Sequence, residues 1–157
     1  MKNRPITIPL VECSYDELSD REKELVDLSR RAYRRAYAPY SHFHVGAAIL
    51  LDNGEIVTGS NQENAAYPSG ICAERTAAFY AHSTWPDARF VTIAISAQGT
   101  DGLEIADPVA PCGACRQVLL EYEKLAGHDV KVLLVGRNCI YALPSVRSTL
   151  PLAFSEF

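Results

Sequence analysis

Cys112 and Cys115 stand three apart in "PCGACRQVLLEY", residues 111–122, and Cys72 stands in "GICAERTAAF" forty residues upstream. Thiols at i and i+3 of a helix share a face, so this pair suits a redox couple, two buried small side chains or two ligands of a metal. Both stretches read as the beginnings of helices, where thiolates gain from the positive end of the dipole. Three sulfurs gathered at two such ends suit a metal better than a disulfide. Three protein ligands leave one corner of a zinc tetrahedron open, and an open corner marks a catalytic site rather than a structural one. Glu74 adds an acid two residues after Cys72; without the cysteines it reads as a first-turn glutamate complementing the dipole. Residues two apart do not share a helix face, so Cys72 and Glu74 serve one centre only if Cys72 sits at the very start of its helix.

The elements that must position these side chains are legible in outline. "SYDELSDREKELVDLSRRAYRRAYAP" predicts a helix that opens on Ser14 and Glu17 in capping-box spacing, aligns Leu18, Leu25, Leu28 and Ala32, and is stopped by Pro39. "HVGAAILL" and "EIVTGS" flank the turn sequence "DNG" and predict a hairpin. "CAERTAAFYAH" is helical, "FVTIAISA" is a central strand, and "CRQVLLEYEKLAG" is a helix closed by Gly127. "VKVLLVG" and "CIYALP" are joined by about three residues, too few for a parallel crossover, so this last pair is expected to be antiparallel. The order predicts an α/β domain with a mixed five-stranded sheet covered by helices on both faces. Residues 1–13 read as an N-terminal extension, an edge strand or ordered arm, ahead of a domain at 14–157. The connection "QGTDGLEIADPVAP", 14 residues long, exceeds an ordinary loop and delivers the chain to Pro111.

Composition narrows the function. At 157 residues and 48% hydrophobic content the chain is the size of one domain that folds without staples. A net charge of -4 with no run of five like charges argues against nucleic acid as a partner. Pro9 and Glu12 interrupt the only apolar start, and no stretch approaches the length of a membrane span, so neither export nor a membrane is expected. Five cysteines, an odd number, favour reduced thiols and a cytoplasmic address.

Cys72-Ala73-Glu74 followed by Pro111-Cys112-Gly113-Ala114-Cys115 has the form of the nucleobase deaminase signature, in which thiolates hold zinc and a glutamate shuttles protons without ligating it. "PYSHFHVGAAIL", "GSNQENAAYPSGICAERTA", "PCGACRQVL" and "LPLAF" together resemble the small homotetrameric cytidine deaminases, from about Ser14 to Phe154. The resemblance implies that the domain at 14–157 is the catalytic one, with a three-layer α/β/α fold and one zinc per subunit on Cys72, Cys112 and Cys115. It also implies hydrolytic conversion of cytidine or deoxycytidine to uridine or deoxyuridine plus ammonia, as in pyrimidine salvage. A zinc-activated water would attack C4 of the pyrimidine; Glu74 would take its proton, hand it to N3 and later help protonate the departing amine.

Three thiolates make the site net negative, so Arg75 is expected to hydrogen-bond the sulfurs and withdraw charge; Arg116 is either a second such group or a surface charge. The resemblance further assigns Asn61 and Glu63 to ribose hydroxyls, Phe43 to packing on the nucleoside and Ala65 to a backbone contact with the base. Tyr67 and Phe154 correspond to residues reaching the sites of neighbouring subunits, which makes oligomerisation a requirement for activity. Read from the residues alone, "SNQEN" is a polar turn and Phe43 a core side chain. His42 and His44 are a rival ligand pair on one strand face, read as solvated; Cys13 and Cys139 are read as inert. Two other functions are weighed: a same-fold deaminase of a cytosine antibiotic such as blasticidin S, and a zinc module without catalysis. Glu74 argues against the second, which has no use for an acid beside an open ligand position.

Overall fold

Ser-x-x-Glu occurs twice near the start of the chain, and the two copies cap different elements. In the computed structural model, which describes residues 1–155, Ser14 and Glu17 box a single 3-10 turn at Tyr15–Glu17. Ser19 and Glu22 repeat the box and begin the first helix, α1, Asp20–Tyr33. This helix is shorter than predicted at both ends. Beyond it the backbone is taken by another segment: the Tyr37 amide donates to the Asn61 carbonyl at 3.0 Å, and the Glu63 amide donates to the Tyr37 carbonyl at 2.8 Å. The chain therefore leaves the helix before Pro39 has any part in stopping it.

The other elements are β1 Val11–Cys13, β2 His44–Leu51, β3 Ile56–Ser60, α2 Ala73–Thr84, β4 Phe90–Gln98, α3 Gly113–Ala126, β5 Lys131–Val135 and β6 Ile140–Leu143. The described strands form one sheet in the order β1-β6-β5-β4-β2-β3. Only β4 and β5 run parallel, with α3 in the crossover between them, and the pair β5/β6 is antiparallel as its short connection requires. Six strands replace the predicted five. The addition, β1, is an edge strand within residues 1–13, one of the two readings of that extension, and pairs Val11 with Ala142 and Cys13 with Ile140.

Alternation along the central strands divides the core into two. Ala48, Ala94, Leu133 and Val135 meet Leu25 and Val26 of α1. Ala47, Ile49, Ile93, Ile95, Val132 and Leu134 face the other way, towards Ala77 and Ala81 of α2 and Leu119 and Leu120 of α3. The result is three layers, α/β/α. Apart from Glu74, the buried side of α2 is alanine, which lets its first turn lie close on the sheet. At Gly59 of β3 an added Cβ would stand 2.5 Å from the Ala73 carbonyl oxygen and the Ala77 nitrogen. That close approach brings the turn carrying Cys72 and Glu74 down onto the strand ends. At the far end of α3, Gly127 takes the left-handed conformation (φ 70°) that closes the helix. Among the described residues no helix is long and apolar enough to cross a membrane.

Candidate metal centre and active site

Both chemistry-bearing helices begin on a cysteine. Cys72 is the N-cap of α2 (φ -75°, ψ 156°) and Cys112 the N-cap of α3 (φ -64°, ψ 162°), each in extended backbone just before its helix. Cys72 thus precedes the helical twist, and Glu74 lies in the first turn, meeting the geometric condition on a Cys-x-Glu pair. Cys115, one turn into α3, is fully buried, whereas Cys112 is exposed.

The three sulfurs lie within 4.8 Å of one another, with 3.8 Å between Cys72 and Cys112 and 3.4 Å between Cys112 and Cys115. Tetrahedral thiolates at a zinc–sulfur distance of about 2.3 Å stand about 3.8 Å apart, so the cluster has the spacing zinc demands. Three soft donors and no fourth protein ligand in the group fit a zinc site with one open position. Among the described residues this is the only group of three or more potential metal ligands so gathered.

Charge around the sulfurs is uneven. The hydrogen bond with Cys115 and the bonds from Arg75 and Cys112 outweigh burial and hold the Cys72 thiol down at about 5. Cys115, sharing that hydrogen bond and buried beside the Glu74 carboxylate, is pushed up. Arg75 Nη2 donates to Cys72 Sγ at 3.6 Å, which places a cation on the thiolate as the charge argument requires. Its Nε is buried without a hydrogen-bond partner. Glu74 is 4% exposed, and burial, reinforced by the Cys72 charge, raises its carboxyl above the ordinary range. A carboxyl shifted in that direction is better suited to give a proton as well as take one.

Arg116 goes elsewhere. Its Nε donates to the Pro111 carbonyl at 2.7 Å and its Nη1 to the Thr149 carbonyl at 2.8 Å, so it is neither a sulfur ligand's partner nor a free surface charge. The long connection before Pro111 is held in place by β4 and by the turn between β5 and β6. The Ile105 amide donates to Ala97, and the Arg137 and Asn138 amides donate to Ile105 and Ala106, at 2.8–3.1 Å.

Beside Cys72 and Arg75 opens a cleft of about 270 Å³ that also meets Asn61, Glu63, Tyr67 and Ile71. Asn61 is committed at both ends of its amide: Oδ1 accepts from the Val45 amide at 2.7 Å, and Nδ2 donates to the Phe43 carbonyl at 3.0 Å. Glu63 Oε2 accepts from the Tyr40 and Ser41 amides at 2.9 and 3.2 Å, and hydrogen bonding from Ser41 and these amides lowers its carboxyl below the usual value. The two side chains therefore clamp the segment that carries the half-buried Phe43. Ala65, Tyr67 and Phe154 are exposed, the last two at 67% and 69%.

His42 and His44 do not join as a ligand pair: His42 turns out of the strand at φ 55°, and His44 begins β2 with Nδ1 buried. Burial raises both Cys13 and Cys139 above the ordinary thiol value, as befits unreactive thiols. One residue of this neighbourhood gave no signal in the sequence. Glu123, inside α3, is buried and accepts three backbone hydrogen bonds, although a charged residue within an amphipathic helix ordinarily faces water.

Residues 19–126 match the family model of the cytidine and deoxycytidylate deaminase zinc-binding region. The cytidine deaminase of Sporosarcina psychrophila is 41% identical over 134 residues, 85% of this chain and 91% of that protein. The cytidine deaminase of Halalkalibacterium halodurans is also 41% identical, over 83% of this chain and 92% of its own length. Among solved structures, the cytidine deaminase of Burkholderia pseudomallei superposes with a TM-score of 0.73 at 35% identity, covering 87% of this chain and all of that one. That of Mycobacterium tuberculosis superposes with a TM-score of 0.65 at 34% identity, covering 88% of this chain and all of that one.

Proposed function

The chain belongs to the cytidine and deoxycytidylate deaminase family, and on that premise we propose that it hydrolyses cytidine and deoxycytidine to uridine and deoxyuridine with release of ammonia. The observation that carries the reading is the convergence of Cys72, Cys112 and Cys115 at two helix starts with Glu74 buried beside them. Zinc bound by the three cysteines supplies the Lewis acidity that makes water a nucleophile at neutral pH. Glu74 takes one proton from the attacking water and delivers it to ring N3, then takes the second from the resulting C4 hydroxyl and delivers it to the leaving amine. Arg75 withdraws charge through its bond to Cys72 Sγ, offsetting three thiolates on one ion.

Asn61 and Glu63 receive the ribose hydroxyls with their remaining hydrogen-bonding capacity, Phe43 packs on the nucleoside, and Ala65 contacts the base through its backbone. Tyr67 and Phe154 complete the sites of neighbouring subunits in a homotetramer with one zinc per subunit; their exposure in the single chain supports this assignment. The catalytic domain runs from 14 to 157, with residues 1–13 an extension whose end is β1. The enzyme acts in the cytoplasm on free nucleosides, with neither nucleic acid nor membrane as a partner.

The test follows loss of the cytosine chromophore with cytidine, deoxycytidine, deoxycytidine monophosphate and blasticidin S, for wild type and Glu74→Gln. Turnover of the two nucleosides is expected, with Glu74→Gln slowing it by about 10²–10⁴-fold while zinc is retained. Turnover confined to the nucleotide or the antibiotic refutes the substrate assignment, and undiminished activity in Glu74→Gln refutes the mechanism.

A further inference from the structure

Glu123 is a buried carboxylate, 8% exposed, that the chemistry above does not use. Its Oε2 accepts from the Val130 amide at 2.9 Å and the Val146 amide at 2.6 Å, and its Oε1 accepts from the Arg147 amide at 3.1 Å. A charge is costly to bury unless hydrogen bonds satisfy it, and here they converge from the lead into β5 and the start of the 3-10 turn Val146–Thr149. From that turn the contacts continue to the metal ligands. The Thr149 carbonyl accepts from Arg116 Nη1, and Arg116 Nε donates to the carbonyl of Pro111, the residue before Cys112.

The path leaves α3 at Glu123 and returns to it at Arg116 through the 3-10 turn, before passing to Pro111. The bridge is needed because Pro111 lies outside the helix, at the end of a 14-residue connection, and Cys112 is the exposed ligand of the three. Cys115, by contrast, is buried within the first turn of α3 and fixed by the helix itself.

We propose that Glu123 is a positioning residue of the zinc centre: it fixes the Val146–Thr149 turn, the turn aims Arg116 at the Pro111 carbonyl, and Cys112 is thereby held within reach of the other two sulfurs. The proposal rests on Cys112 being a zinc ligand. Glu123→Gln keeps one carbonyl oxygen for the Val130 and Val146 amides but turns an amide donor towards Arg147; Glu123→Ala removes every acceptor.

The test loads the full chain with zinc, transfers it to a chelating dye and measures the release rate, alongside the thiolate-to-metal absorption of the cobalt-substituted protein. Leu25→Ala, which weakens the opposite face of the sheet, is the control for general loss of stability. Glu123→Ala is expected to release zinc about tenfold faster or more and to perturb the cobalt spectrum, with Glu123→Gln between it and wild type. Leu25→Ala is expected to release zinc at the wild-type rate. Should Glu123→Ala not fold, Glu123→Gln decides. Wild-type release and spectrum in Glu123→Gln, or acceleration no greater than in Leu25→Ala at equal loss of stability, overturns the brace alone. A wild-type chain that takes up no zinc overturns both the brace and the metal centre on which it rests.

Discussion

On one face of the sheet, α1 buries Leu25 and Val26 against Ala48, Ala94 and Leu133, and its polar contacts tie structure to structure. Ser29 Oγ meets Ser96 Oγ at 2.5 Å in the core, and Arg30 Nε meets Glu104 at 2.8 Å on the long connection. On the other face, α2 and α3 bury alanine and leucine along their bodies but start on Cys72 and Cys112. Helix bodies there supply stability, and helix starts supply chemistry. The difference teaches that the reactive groups sit where a helix has unpaired backbone donors and a positive dipole end, so that α1, capped by Ser19 and Glu22, contributes to the site only through the scaffold.

The contrast breaks most sharply at the ligands. Cys115→Ser removes a fully buried sulfur from the cluster, and zinc content measured by metal analysis is expected to fall with activity to background while the two cores persist. A variant with full zinc and full turnover would remove Cys115 from the centre. Next comes Leu25→Ala on the α1 face, expected to cost about 2–5 kcal/mol in chemical unfolding because the site lies in a fully packed core. Its kcat/KM under folding conditions is expected to match wild type, and a selective fall in kcat would show that the two faces are not separable. Arg75→Gln is smaller again: about 10–100-fold in kcat, with zinc retained, since the sulfurs all remain and the charge set against Cys72 and Cys115 is lost. An unchanged rate with full zinc would leave the thiolate charge to be balanced by some other group.

The same division governs what could be read from the sequence. Cys72, Glu74, Cys112 and Cys115 are legible as candidates because zinc-site chemistry demands their types and spacing. "HVGAAILL" and "FVTIAISA" are legible as strands from their apolar and β-branched content, while the division of their side chains between two cores is not. Nor are features set by long-range pairing. Residues 1–13 read as an edge strand or an ordered arm, and only the pairing of Val11–Cys13 with β6 decides for the strand. The predicted helix begins ahead of α1 because Ser14–Glu17 and Ser19–Glu22 carry the same capping signature. Arg116 and Glu123 find their partners in backbone carbonyls and amides, which a sequence does not display as targets. Asn61 and Glu63 were visible as candidates for substrate contact, but their hold on the backbone of residues 40–45 depends on the bridge at Tyr37.

The smallest expected effect tests the structural face with pH. Glu22 Oε2 accepts from the Ser19 amide at 2.9 Å and the Ser19 hydroxyl at 2.7 Å, and Oε1 pairs with Lys131 Nζ at 2.5 Å. Burial alone would raise this carboxyl, but Lys131 and the Ser19 bonds outweigh it and hold it below the ordinary glutamate value. A depressed folded value means that the stabilisation is fully present above the unfolded value, about 4.3, and is lost as pH falls through the lower folded one. Lys131 is partly exposed, so the pair is screened, and Glu22→Gln is expected to cost about 1 kcal/mol at neutral pH, mostly through the cap. In urea unfolding followed across pH, the gap between wild type and Glu22→Gln should hold from neutral pH down to about 5 and close below about pH 4. A gap independent of pH would assign the loss to packing rather than to the ionised cap. A change in zinc release in the same variant would show that the cap on α1 reaches the other face after all.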